Sequence, residues 1–237
     1  MLGLVIAVSA IVLGGAACVA AGQQSSAASR EREREQMVDQ QLRVRGIRDA
    51  RVLEVMARVP RHLFVPPAQQ RAAYDDHPLP IGFGQTISQP YIVAFMTEAL
   101  AIAPTDTVLE IGTGSGYQAA ILGELAREVY TIELVPELAA RAGDTLASLG
   151  YRHVHVRAGD GYRGWPEHAP FRKIMVTAAP EVVPQALVDQ LAVGGTMILP
   201  VGPDGGAQEL RILTKTPGGV TTERSLPVRF VPMVKPG

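Results

Sequence analysis

Val108-Leu109-Glu110-Ile111-Gly112-Thr113-Gly114-Ser115-Gly116-Tyr117 is the stretch that decides the fold of this chain. An apolar strand pattern runs into three alternating glycines, and a helical pattern begins directly beyond them. Glycine suits such a junction because the backbone must turn sharply and let a ligand approach without a Cβ in the way. Taken alone, a tight strand-to-helix turn accounts for the same residues. Spacing narrows the choice. A dinucleotide-binding loop would place its third glycine at position 117, where Tyr117 stands, and a phosphate-binding loop would need a Gly-Lys-Ser or Gly-Lys-Thr that the chain lacks here.

With Glu110 inside the strand and glycines at 112, 114 and 116, the stretch resembles the first motif of class I S-adenosylmethionine methyltransferases. Their ligand carries a single ribose and no phosphate. The resemblance implies that Glu110, Gly112, Thr113, Gly114 and Gly116 bind the cofactor. Two further acidic residues fall where such a ligand would use them. Glu133 closes the next strand, where a carboxylate can accept both ribose hydroxyls. Asp160, in Gly159-Asp160-Gly161 after the third strand, can accept from an adenine amino group, with Gly161 beside it. Each alone reads equally as a solvent-facing strand end. Together, three carboxylates at three consecutive strand ends favour a cofactor site at the carboxyl edge of an α/β sheet.

Outward from this loop, short β-rich runs alternate with helical ones. Strands are expected at Val108–Ile111, Val129–Glu133, His153–Arg157, Lys173–Thr177 and Thr196–Val201, and helices at Gly116–Leu125, Pro136–Leu149 and Val182–Leu191. Such alternation predicts a doubly wound, mainly parallel sheet with helices on both faces. Glu209–Thr214 and Val220–Val231, separated by Gly218-Gly219, predict an antiparallel pair at the end. Before the loop, Met37 to Leu63 reads as helical, with apolar stripes at Val38, Leu42, Val44 and at Val52, Leu53, Val55, Met56. Pro78, Pro80, Gly82 and Gly84 make Ala73–Ile87 a loop, and a helix follows Ser88 with Ile92, Phe95, Met96, Ala99 and Leu100 on one face. Ser88, ahead of Gln89-Pro90, also fits a helix N-cap. Residues 37–237 form a single expected domain.

The first 36 residues are a separate matter. Leu2 to Gly22 carry no charge, and about 20 such residues suffice to cross a bilayer as a helix. Three readings stay open: a cleaved export signal or lipoprotein leader around Cys18, an uncleaved anchor, or an extension ahead of a natural start at Met37. Arg30, Arg32 and Arg34 follow the apolar run and favour a body on the cytoplasmic side. Their strict alternation with glutamates reads as the solvated start of the next helix.

Bulk composition removes other function classes. A chain of 237 residues with net charge −1 offers no basic surface for nucleic acid, which is not an expected partner. Cys18 is the only cysteine, and the five histidines show no metal-ligand spacing, so no metal is expected. The Asn-Pro-Pro-Tyr sequence of amide and adenine N-methyltransferases is absent.

A more specific resemblance lies upstream. Pro80-Ile81-Gly82-Phe83-Gly84-Gln85-Thr86-Ile87-Ser88-Gln89-Pro90 is similar to the segment that marks the protein-L-isoaspartate (D-aspartate) O-methyltransferase family. Val59 to Val65, Gly159-Asp160-Gly161, Val176 to Pro180 and Val228 to Pro232 continue the match in the family's order. It covers about Met37 to Val234. The resemblance implies a seven-stranded Rossmann-like fold of the class I type, S-adenosylmethionine as donor, and isoaspartyl proteins and peptides as partners, D-aspartyl sites being a further expectation. It places Ser88 beside the transferring methyl group, with Gln85 and Thr86 shaping the pocket and Val228 and Phe230 offering an edge to the peptide. Arg61 and His62 are expected to anchor the N-terminal part. An ionised carboxylate needs no general base, which suits the lack of an evident nucleophile–base pair. A different acceptor, an NAD-dependent oxidoreductase and a silent binding module are the competing functions. Because S-adenosylmethionine is made in the cytoplasm, the expected state is a cytoplasm-facing monomer, free or tethered through residues 2–22.

Overall fold

The computed structural model describes residues 28–236. Both the apolar segment 2–22 and Cys18 therefore lie outside the described residues. Nine strands form a two-stranded hairpin and a seven-stranded sheet of order β5-β4-β3-β6-β7-β8-β9. The hairpin is β1 (Leu79–Gly82) and β2 (Gln85–Ile87). In the large sheet, β3 (Thr107–Ile111), β4 (Glu128–Glu133), β5 (Val154–Ala158), β6 (Phe171–Val176) and β7 (Leu191–Val201) run parallel. β8 (Gln208–Thr216) and β9 (Gly219–Val228) complete it antiparallel, as expected of the terminal pair.

Alternation along each strand feeds two cores. Val108, Val129, Val154, Met175 and Ile198 point into one, while Leu109, Ile111, Ile132, Ile174, Met197 and Leu199 point into the other. A sheet buried on both faces must be covered by helices. Those in the body are α3 (Pro90–Leu100), α4 (Tyr117–Gly123), α5 (Pro136–Ser148) and α6 (Gln185–Gln190). Because β3 pairs with β4 on one side and β6 on the other, the winding reverses there, and a crevice opens beyond the strand ends.

Ahead of the sheet, α1 (28–37) passes into a wide turn at Val38–Leu42 and a tight one at Arg43–Arg45, followed by α2 (Ala50–Arg58). The alternating Arg/Glu run lies on α1. Val38 and Leu42 are buried, but the change in helical pitch turns Val44 out to 71% exposure, so it leaves the stripe the sequence suggested. Residues 73–87 are likewise more ordered than a loop, since the hairpin lies within them. His153 precedes β5 rather than starting it, and its Nε2 meets the Gly123 carbonyl at 2.8 Å. The buried face of α3 centres on Val93, Met96, Thr97 and Leu100, while Ile92, Phe95 and Ala99 pack at its margin. Among the described residues, no helix is long and apolar enough to cross a membrane, and no group of three or more His, Asp or Glu side chains could hold a metal ion.

Candidate active site

The glycine loop leaves β3 at the reversal point. Gly112 has φ +96°, and a Cβ there would run into the Thr177 hydroxyl, so only glycine fits. That hydroxyl donates toward the carbonyl oxygens of Gly112 (2.7 Å) and Ile111 (3.0 Å), fastening the loop to the end of β6. Gly116, at φ +87°, precedes α4, and a side chain there would crowd Ala142 and Leu146. Tyr117, in place of a third dinucleotide-type glycine, is buried and stacks edge-on against Phe64 with centroids 5.5 Å apart.

The three carboxylates take different positions. Glu133 accepts from the backbone N–H of Gly114 at 2.7 Å and of Val135 at 3.0 Å, which fixes it in the cavity wall. Carboxylate oxygens hold more than one acceptor site each, so capacity remains for ligand hydroxyls. Glu110 is fully buried beneath the loop and lines no part of the cavity. Its Oε2 accepts from Thr131 at 2.6 Å, and Thr131 in turn meets the Thr113 hydroxyl at 2.6 Å. Its other oxygen, Oε1, has no partner. Burial, opposed by the Thr131 hydrogen bond and helped by the nearby Glu133 charge, pushes the Glu110 carboxyl up to about 8. Glu110 thus supports the loop from below. Asp160 accepts from the Tyr162 N–H at 2.9 Å and caps the short turn Gly161–Arg163; its neighbour Gly161 is in the cavity wall.

Three adjoining cavities make up the site. One lies over Ile132–Val135, Gly161 and Val231–Val234; its largely apolar walls and single fixed carboxylate suit a nucleoside. A second reaches between the glycine loop and α3, past Ile92, Met96, Tyr117 and Gln118. The third is an open groove of about 780 Å³ between the start of α3 and Leu226–Pro232. Thr86 and Thr177 face all three, Gln85 faces the first, and Ser88 faces the inner cavity and the groove.

Ser88 does not cap α3. The N-cap position belongs to Gln89 without a side-chain bond, because Pro90 at the first helical position shifts the helix start by one. Arg61, fully buried, donates to the Ser88 carbonyl at 2.7 Å and to the Ala73 carbonyl at 2.8 Å. Burial lowers its guanidinium to about 10, so it stays cationic at neutral pH. His62 is held by the Tyr74 hydroxyl at 2.6 Å, as an anchor would be.

The groove's far wall is fixed by its backbone. Gln208, buried, accepts from the Phe230 N–H at 2.7 Å and donates to its carbonyl at 3.2 Å. Val231 and Met233 bracket Ala179 through two 2.8 Å backbone bonds. Val228 and Phe230 line the groove. Thr177 and Arg45 were not among the expected site residues. Arg45 pairs with Asp76 at 2.6 Å and lies 3.5 Å over the Tyr91 ring at the groove rim. Thr177 could have been found from its place at the end of β6; Arg45 gave no sequence signal.

The family model described as protein-L-isoaspartate(D-aspartate) O-methyltransferase matches residues 32–236. A protein-L-isoaspartate O-methyltransferase of Gloeobacter violaceus is 62% identical over 199 residues, 84% of this chain and 97% of that one. A second, from an Anaeromyxobacter species, is 55% identical over 229 residues, 96% of this chain and 94% of that one. Among solved structures, a Plasmodium falciparum protein described as an enzyme of this kind, in complex with S-adenosyl-L-homocysteine, superposes with TM-score 0.76 at 26% identity, covering 86% of this chain and 99% of that one.

Proposed function

The chain belongs to the protein-L-isoaspartate (D-aspartate) O-methyltransferase family, and on that premise we propose how its residues divide the work of methylating isoaspartyl side groups in proteins and peptides. S-adenosylmethionine, when bound, supplies the methyl group. The residues fit it: Gly112, Gly114 and Gly161 line the cavity without side chains, and Glu133 presents a fixed carboxylate in its wall.

The observation that carries the assignment of roles is the position of Ser88, which faces both the inner cavity against the glycine loop and the open groove. Isoaspartyl α-carboxylate is already ionised at neutral pH, so no residue has to remove a proton before attack. What remains is alignment of oxygen, carbon and sulfur in line, and holding reacting atoms near 3–3.5 Å supplies a large share of such a rate enhancement. The Ser88 hydroxyl donates to the acceptor carboxylate, and Thr86 and Thr177 close the space where the two cavities meet. Glu133 takes the ribose hydroxyls, Asp160 the adenine edge, and Gly112, Thr113, Gly114 and Gly116 form the cradle, with Glu110 beneath it. The extended Val228–Val231 segment takes the peptide; its methyl ester product then cyclises to succinimide without further help, a backbone amide nitrogen attacking the ester carbonyl and methanol leaving, which begins repair. The catalytic domain acts as a monomer in the cytoplasm, where its donor is made.

A decisive assay uses the purified full chain, methyl-labelled S-adenosylmethionine, and one peptide carrying aspartate or isoaspartate at the same position. Base-labile label is expected on the isoaspartyl form alone, and Ser88→Ala should remove most of it. Equal labelling of both peptides would sink the substrate assignment; an unaffected Ser88→Ala would sink the role of Ser88.

A further inference from the structure

Arg61 is an unusual investment. It sits in a short turn, Arg61–Phe64, with no exposed surface at all. A cation withdrawn from water costs several kcal/mol unless its surroundings repay it, and an apolar side chain of similar size often packs there with equal or better stability. The return here is incomplete: among the described residues Nη1 has no hydrogen-bond partner, and the Asp76 carboxylate, whose charge reaches Arg61, pairs with Arg45 instead. Fold stability alone is therefore a poor reason for an arginine.

Its two bonds that are made explain more. Nε donates to Ala73, ahead of the β1–β2 hairpin, and Nη2 donates to Ser88, just beyond it. One planar guanidinium thus ties together both stems of the hairpin that carries Gln85 and Thr86. Its Cζ also lies 4.9 Å over the ring of Tyr117, the first residue of the helix that follows the glycine loop. Arginine's rigid fork is suited to fixing two acceptors and a ring at set distances, which lysine's single ammonium is not. Ser88, not engaged in capping α3, takes its place from the backbone that carries it.

We propose that Arg61 is a positioning residue for methyl transfer: it sets the Ser88 backbone against the helix that follows the glycine loop, and so fixes the acceptor side of the site relative to the donor side. This rests on the assignment of Ser88 above. A displacement of about 1 Å between reacting groups can cost about 100-fold in rate, so the effect belongs in kcat.

The test is a double-mutant cycle in the full chain with Arg61→Lys, Arg61→Met and Ser88→Ala, measuring kcat and both KM values at a temperature where thermal melts show each variant folded. Arg61→Met guards against a lysine variant that does not fold, since an apolar chain suits the buried site. We expect kcat to fall about 10- to 100-fold in the Arg61 variants with KM for S-adenosylmethionine within about threefold. The same Arg61 change should cost little when Ser88 is already alanine, because residues acting as one unit are not additive. A folded Arg61→Met with wild-type kcat overturns the proposal, as does a loss that adds fully to that of Ser88→Ala. A fully active Ser88→Ala, seen with Arg61 intact, would instead remove the Ser88 assignment itself.

Discussion

Glu110 and Glu133 lie on neighbouring strands, and their surroundings give them opposite tasks. Two backbone donors and an open wall keep Glu133 available to a ligand, whereas Glu110 is sealed below the loop with one oxygen unpaired. The ordinary glutamate value of 4.5 applies to the unfolded chain, and burial raises it to about 8 in the fold. Between these values the folded state holds the proton that the unfolded state has lost. Stability from Glu110 is therefore complete below about 4.5 and declines as pH rises through about 8. Melting temperatures of wild type and Glu110→Gln, followed across this window, should converge toward low pH, with the wild type falling further behind as pH rises. Parallel curves would show that Glu110 does not titrate as described. The sequence marked Glu110 as a motif residue, but whether such a carboxylate faces the ligand or the core depends on which side of the strand is roofed, and that is not a local property.

Among the elements, the segment after β9 depends on one side chain from the neighbouring strand. Gln208 replaces a strand partner for Phe230 by meeting both its N–H and its carbonyl. Both bonds are only partly buried, and hydrogen bonds of this kind contribute about 0.5–1.5 kcal/mol each. Gln208→Leu should lower the unfolding free energy in denaturant by at least that much and raise KM for the isoaspartyl peptide; an unchanged unfolding midpoint with an unchanged KM would exclude the clamp. Neither this device nor the β1–β2 hairpin was legible beforehand. Pro78, Pro80, Gly82 and Gly84 look like loop residues because they break regular patterns, yet the pairing of Leu79 with Ile87 and of Pro80 with Thr86 makes two short strands of them. By contrast, the five parallel strands and the terminal antiparallel pair could be read directly, since runs buried on both faces or closed by Gly-Gly carry their own signal.

For the molecule as a whole, the site draws on residues from Arg45 to Val234, distant in sequence and gathered at one edge of the sheet. Motifs marked the glycine loop, Glu133 and Gly161, which line the inner cavities, because each sits at or just beyond a strand end with a characteristic spacing. The groove between the start of α3 and Leu226–Pro232 was legible only through the resemblance to a family, as its walls come from segments with no periodic signal. Among the described residues, the walls come from positions 45 to 234. Because the family match begins at residue 32, removing residues 1–27 should leave kcat and both KM values within about twofold; a larger loss, measured with the same peptide, would give that segment a part in catalysis. The bracket of Val231 and Met233 around Ala179 has a consequence for the protein's birth. A ribosome delivers the chain from its amino end, so Val231–Val234 emerge after every other residue that lines the cavity over Ile132–Val135. While Val231–Val234 are still inside the exit tunnel, a nascent chain lacks a finished site.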